Sequence, residues 1–209
     1  MMTISLSDAG KRFNRDWIYR HFTYQFTSGY AYAITGPNGS GKSTLLQALS
    51  GSMMINEGTI DWQINDKKQD PEQIFSYVSI CAPYLDVIEE MTLTEFLDFH
   101  QGFKPFLPGL TPKEVISIIG LEKAVDKQIR NYSSGMKQRV KLAQCILSDS
   151  AIVLLDEPCT NLDAAGIALY HALIEKYGKD RLIVVSSNDE TEYRFCTEII
   201  NISDYKLKG

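Results

Sequence analysis

Gly36-Pro37-Asn38-Gly39-Ser40-Gly41-Lys42-Ser43-Thr44 constrains this chain more than any other stretch. It satisfies the phosphate-loop pattern G-x-x-x-x-G-K-[ST], with Gly36, Gly41, Lys42 and Ser43 at the fixed places. The β-branched and aromatic run Tyr30–Thr35 before it reads as a strand, and Thr44–Leu49 after it reads as a helix. Glycines let the backbone approach an anion closely, so that successive N–H groups converge on a phosphate. The helix that follows adds its unpaired N–H groups and the positive end of its dipole. In this pattern Lys42 reaches the β- and γ-phosphates and the Ser43 hydroxyl ligates Mg²⁺. A glycine-rich turn alone would explain the glycines, but the full pattern with its flanking strand and helix sets that reading aside. Binding of a nucleoside triphosphate is expected.

At 209 residues the chain can bury one substantial domain, or one domain with a subdomain. Its formal net charge of −5 argues against a dedicated nucleic-acid binder, and no nucleic-acid partner is expected. Cys81, Cys145, Cys159 and Cys196 are irregularly spaced without a C-x-x-C, which reads as reduced cytosolic thiols rather than a metal site. The N-terminus lacks a signal peptide's basic-then-apolar order, and no apolar run approaches the roughly 20 residues a membrane span needs. Any membrane role is therefore expected to come through a partner.

Residues 2–6 read as a first strand, Lys11–Trp17 as a polar turn, and Ile18–Phe26 as a half-exposed strand. Ser28-Gly29 is a turn, and Glu57–Ile64 and Phe75–Cys81 read as further strands. Thr92-Leu93-Thr94-Glu95 and Thr111-Pro112-Lys113-Glu114 have the form of capping boxes, with Gly120 as a helix stop. About residues 84–130 thus read as a small helical insertion, and Gly135–Leu147 reads as a helix after it. Ala151–Leu155 is a continuous apolar run, as in a strand buried on both faces of a parallel sheet. A helix (164–177), a strand (Leu182–Ser186), a short helix (189–195) and a strand (Ile199–Ile202) complete the chain.

The apolar strand runs into Asp156-Glu157, carboxylates at the strand end where ligands bind in open α/β sheets. Asp156 is the expected Mg²⁺ anchor, and Glu157 can polarise an attacking water as general base. Shortly before it, Tyr132-Ser133-Ser134-Gly135-Met136-Lys137-Gln138-Arg139 resembles the signature sequence of ABC-type ATPases, and Asn161-Leu162-Asp163 resembles their D-loop. In series with the phosphate loop, these motifs carry a resemblance that covers nearly the whole chain. The form Tyr-Ser-x-Gly-Met-Lys-Gln-Arg is similar to that of ABC-2-type and haem-export ATPases.

That resemblance implies an α/β fold: a P-loop core with a mainly parallel sheet, an N-terminal antiparallel β part and a helical subdomain. Residues 1–82 and 150–209 would form the ATP-binding core and 83–149 the helical subdomain with the signature. It implies ATP and Mg²⁺ as cofactors, membrane-spanning permease subunits and a second ATPase subunit, identical or not, as partners. The chain would then lie in the cytoplasm at the inner face of a membrane. In the family two such domains pair head to tail, so Ser133, Ser134, Gly135 and Met136 would meet the partner's γ-phosphate in trans, and Asp163 would serve in the D-loop. Phe13 stands at the place of the family's adenine-stacking aromatic, with Trp17 as competitor and ordinary edge packing as the alternative for both.

The sequence departs from the family's pattern within the signature, where Ser134 stands for the first Gly and Met136 for the Gln, and at two further places. Ser79–Tyr84, at the entry to the helical subdomain, holds no Gln where the family has one. Asn188 occupies the position of the family's γ-phosphate-contacting His; Asn donates a hydrogen bond but carries no charge and shuttles no proton. Binding is expected to be intact and turnover slow. Two alternatives stand beside a transporter ATPase: a non-transport ABC ATPase, and a nucleotide-regulated subunit with weak hydrolysis.

Overall fold

The computed structural model describes residues 1–206. The chain opens with a hairpin, β1 (Met2–Phe13) and β2 (Asp16–Thr27), closed by Asn14-Arg15 alone. The polar turn expected over Lys11–Trp17 is therefore far shorter, because both strands continue through it until Phe13 faces Asp16. β3 (Ala31–Thr35) leads into the phosphate loop and α1 (Lys42–Leu49). β4 (Glu57–Ile64) and the two-residue β5 (Lys67–Lys68) follow. The strand expected over Phe75–Cys81 starts only at Val78: Asp70 caps a 3-10 run over Pro71–Tyr77, and β6 is Val78–Cys81. The overlooked signal is Asp70-Pro71, a cap followed by a first-turn proline.

Next come α2 (Leu93–Phe103), α3 (Pro112–Ile118), α4 (Ser134–Ile146), β7 (Ile152–Asp156) and α5 (Ala164–Tyr177). β8 (Leu182–Ser186), α6 (Glu190–Tyr193) and β9 (Glu198–Asn201) follow, and a 3-10 turn over Ile202–Tyr205 comes after them. The strands make two sheets. One has the order β2-β1-β4-β5, with antiparallel pairs throughout. The other has the order β6-β7-β8-β3-β9, and its β7–β8, β8–β3 and β3–β9 pairs are parallel.

The chain divides into two compact units. The first comprises Met1–Ile80, Ala151–Asp156 and Asp180 onward, and holds both sheets and α1. Its core joins Ile4, Leu6, Phe22 and Phe26 of the hairpin to Ile34, Leu45, Leu46, Leu49, Leu154 and Val184. Burying each such side chain contributes roughly 1.5–3 kcal/mol, so this shared core dominates what holds the phosphate loop's strand and helix in register. Trp62 fastens β4 to the same helix, its indole N–H donating to Leu49 O at 2.9 Å.

The second unit, Cys81–Ser150 with Glu157–Lys179, holds α2 to α5, with α2 against α3 and α4 against α5. Both expected capping boxes are formed, Thr92 with Glu95 and Thr111 with Glu114, and Gly120 takes the left-handed φ of 67° that a helix stop requires.

His100 on α2 lies between the rings of Phe96 and Phe106. The Ser148 hydroxyl gives its proton to Gln144 O, so the His100 Nε2–H donates to Ser148 Oγ at 2.8 Å. Burial, and after it the charge of Lys104, push this imidazole down to about 4. Unfolded, the ring takes up its proton near pH 6.5. Its contribution to stability is thus complete above about pH 6.5 and is lost as the pH falls toward 4. The melting temperature should fall across that window, and less steeply in His100→Gln; equal slopes would show that other groups set the dependence.

Candidate functional site

The phosphate loop occupies the turn between β3 and α1, with positive φ at Gly36 (140°), Gly39 (75°) and Gly41 (106°). Two of these positions are glycine for space as well as for φ. A Cβ on Gly36 would stand 2.8 Å from Ile202 Cγ2 and 2.9 Å from Ser40 Oγ, and one on Gly41 would collide with Ile18 Cγ2. Ile18 is the extra residue of a bulge in β2, since Lys11 pairs Tyr19 while Arg12 pairs Trp17. The bulge turns Ile18 onto the loop and so ties the hairpin to the loop.

The start of α1 differs from the other α-helix starts. Thr92, Thr111, Ser133, Asp163 and Asp189 each accept a first-turn N–H of α2, α3, α4, α5 and α6. The N-cap of α1 is Gly41, with no side-chain acceptor and no acidic residue in the first turn. Its N–H groups remain available to an anion. Lys42 is 6% exposed, and its Nζ donates to Gly36 O at 2.8 Å and Pro37 O at 3.4 Å. Pro37, Asn38 and Gly39 are exposed, Ser43 and Thr44 half-buried. Ser40 is buried, and its hydroxyl has no hydrogen-bond partner among the described residues.

Asp156 ends β7 at 3% exposure and forms no ion pair among the described residues. Its register partner on β8 is Ser186, whose buried hydroxyl also lacks a partner among the described residues. Asn188, just beyond β8, accepts from Gly36 N–H at 3.0 Å and donates to Asn38 Oδ1 at 3.3 Å.

Phe13 and Trp17 have unlike surroundings. Trp17 lies over Gly10 with the Arg12 and Arg20 guanidinium groups at 5.4 and 4.6 Å from its ring, and Arg20 is held by Glu57. Phe13 is 47% exposed, with Lys11 Nζ 5.1 Å from its ring.

In the second unit Glu157 holds a left-handed backbone, φ 45°, which is uncommon for a residue with a side chain. Its carbonyl accepts from Thr160 N–H at 3.2 Å and Thr160 Oγ1 at 2.9 Å. The next carbonyl, of Pro158, accepts from the buried Gln138 amide at 2.7 Å. Gln138 belongs to α4, the helix that the signature residues begin, so this helix grips the turn bearing Glu157. Sequence reasoning missed Gln138 and Thr160; a buried amide on an otherwise apolar helix face was the available signal.

Ser133 caps α4, accepting from Met136 N–H at 3.2 Å. Gly135 lies against the D-loop: a Cβ there would stand 3.0 Å from Asn161 O. Asp163 caps α5 through Gly166 N–H at 2.8 Å and meets Arg139 at 3.4 Å; the Gly166 bond, and after it the nearby guanidinium, hold its carboxyl below the usual range. Ser133, Ser134, Gly135 and Met136 line a cavity of about 780 Å³ together with Lys123, Lys127, Arg139, Asn161 and Asp163.

Comparisons with known proteins agree on one family. Over 213 aligned residues the chain is 29% identical to YhcH of Bacillus subtilis, an uncharacterized ABC transporter ATP-binding protein, covering 98% of this chain and 68% of that one. It is 31% identical over 151 residues to the cytochrome c biogenesis ATP-binding export protein CcmA of Xylella fastidiosa, covering 72% of this chain and 67% of CcmA. A dimeric ATP-binding cassette solved in a post-hydrolysis state with ADP and phosphate shares the fold, with TM-score 0.80 at 21% identity over 99% of this chain and 97% of that one. The family model described as ABC transporter matches residues 19–160, and the chain belongs to that family.

Proposed function

We propose that the chain is the ATP-binding and ATP-hydrolysing subunit of an ABC transporter, acting with separate membrane subunits and a second ATPase subunit. The start of α1 carries this reading: every other α-helix donates to a side-chain cap, while α1 leaves its N–H groups to an anion beside Lys42. Phe13 is the residue that stacks on adenine, because Trp17 is already covered by two guanidinium groups.

The residues present suit Mg²⁺. No cluster of three or more His, Cys, Asp or Glu could cage a metal among the described residues. Mg²⁺ needs no such cage, taking one or two protein oxygens together with substrate phosphates and water. Asp156, buried without an ion pair among the described residues, and Ser43 on the first turn of α1 would supply those oxygens. A buried carboxylate is costly unless a cation compensates it. When bound, the ion neutralises phosphate charge. In this reading Glu157 takes a proton from the water that attacks the γ-phosphorus, and ADP leaves as the bond between that phosphorus and the bridging oxygen breaks.

Ser133 and Gly135 offer donors to the γ-phosphate of ATP held by a second subunit, so the two close head to tail on ATP and part after hydrolysis. No helix among the described residues is long and apolar enough to cross a membrane. In the proposed reading the chain sits at the cytoplasmic face, attached through the membrane subunits. The experiment is phosphate release and ATP binding with and without Mg²⁺. Asp156→Asn should lose the Mg²⁺ dependence of binding together with hydrolysis; full Mg²⁺-dependent activity in that variant would remove Asp156 from the role. A nucleotide-regulated subunit with weak hydrolysis is the second reading, favoured by Asn188 at the place of the family's His.

A further inference from the structure

We infer that Asn188 is a positioning residue that clasps the phosphate loop and grips ATP and ADP alike, rather than a sensor of the γ-phosphate. The inference rests on the nucleotide-binding reading and gives one residue of that site a different task.

The geometry that delivers Asn188 is local and well braced. β3 and β8 run parallel with Ile34 opposite Ser186, and Ser187 N–H extends the ladder by donating to Ile34 O at 3.1 Å. Ser187 Oγ then accepts from Asp189 N–H at 2.9 Å, and Asp189 Oδ1 accepts from Thr191 N–H at 2.9 Å to start α6. Asn188 is held between these two turns at the mouth of the loop.

Its amide is used at both ends. Gly36 N–H can only donate, so Oδ1 must face it, and Nδ2 is thereby turned toward Asn38 Oδ1. Lys42 Nζ holds the carbonyl of the same Gly36. The first glycine of the loop is thus held on its N–H by Asn188 and on its C=O by Lys42, while Ile202 and Ser40 leave no room at its α-carbon. Its φ of 140° is a conformation the chain leaves readily without such restraints. Fixing it pre-forms the N–H cradle, which serves phosphates common to both nucleotides. A single planar amide does this; an imidazole has one ring nitrogen to offer on each side, fixed in direction, and cannot meet both partners from one edge.

The test measures Kd for ATP and ADP, each with Mg²⁺, in wild type, Asn188→Ala, Asn38→Ala and the double variant. Hydrogen exchange at Gly36 N–H is followed without nucleotide. Asn188→Ala should weaken both nucleotides by the same factor, about three- to tenfold, and speed exchange at Gly36. Asn38→Ala should cost about two- to threefold, and the double variant should bind no worse than Asn188→Ala, because the two residues share a bond. Asn188 and Asn38 are exposed, so these variants should melt like wild type. Loss for ATP alone, unchanged Kd for both nucleotides, or unchanged exchange at Gly36 would overturn the inference. Wild-type protein that binds neither nucleotide, with Lys42→Ala no different, would instead remove the nucleotide reading and this one with it.

Discussion

Glu157→Gln should yield a protein that takes up ATP, hydrolyses it at least about a hundredfold more slowly, and accumulates as an ATP-held dimer. Glutamine keeps the length of the side chain and one oxygen acceptor but cannot accept the water's proton. The turn that carries it should survive, because its restraints are elsewhere: Thr160 on the Glu157 carbonyl and Gln138 on the Pro158 carbonyl. Single-turnover phosphate release gives the rate, and light scattering gives the dimer. Ser133→Arg in the same background replaces the cap of α4 with a bulky cation on the face proposed to meet the second subunit's nucleotide. That change should abolish the dimer. A dimer that persists would contradict the head-to-tail arrangement, and wild-type hydrolysis in Glu157→Gln would place the base at another residue.

Lys42→Ala should weaken ATP by roughly ten- to a hundredfold, the loss of a charge-assisted contact of about 1.5–3 kcal/mol. The lysine is buried and holds two loop carbonyls, so in the proposed site it would exchange those bonds for phosphate oxygens. Thermal stabilisation reads the same quantity. ATP at a hundred times the wild-type Kd should add about 2.7 kcal/mol to wild type, and only about 0.4 kcal/mol to a variant with a hundredfold weaker site. A variant whose melting temperature still rises with ATP as wild type's does would sink the phosphate-loop assignment.

What the sequence disclosed and what it withheld divide along range. The phosphate loop, both capping boxes and the stop at Gly120 are contiguous patterns whose partners lie within a few residues, and each could be read directly. β7 was legible as an unbroken apolar run, because both faces of that strand are covered. Phe75–Tyr77 misled, since an apolar and aromatic run looks alike in a strand and in a 3-10 turn. The residues of the candidate site could be named, but not what holds them. Ile18 reaches Gly41 only because a bulge shifts its strand, Gln138 meets Pro158 from another element, and Asn188 finds Gly36 across 152 residues of chain. No local pattern encodes such pairs, which arise once strand order is decided.

That strand order also bears on how the protein comes into being on the ribosome. β3, which leads into the phosphate loop, takes its two neighbours from β8 and β9, near the far end of the chain. Until about residue 186 has emerged the loop's strand has both edges bare, and until about residue 201 it still has one bare edge; Gly36 meanwhile lacks Asn188 until that residue arrives. Parallel pairings of such long sequence separation form slowly and leave unpaired edges exposed meanwhile. Nucleotide binding should therefore appear late and abruptly during synthesis, and nascent chains stalled before β9 should depend on chaperones rather than on ATP to stay out of aggregates.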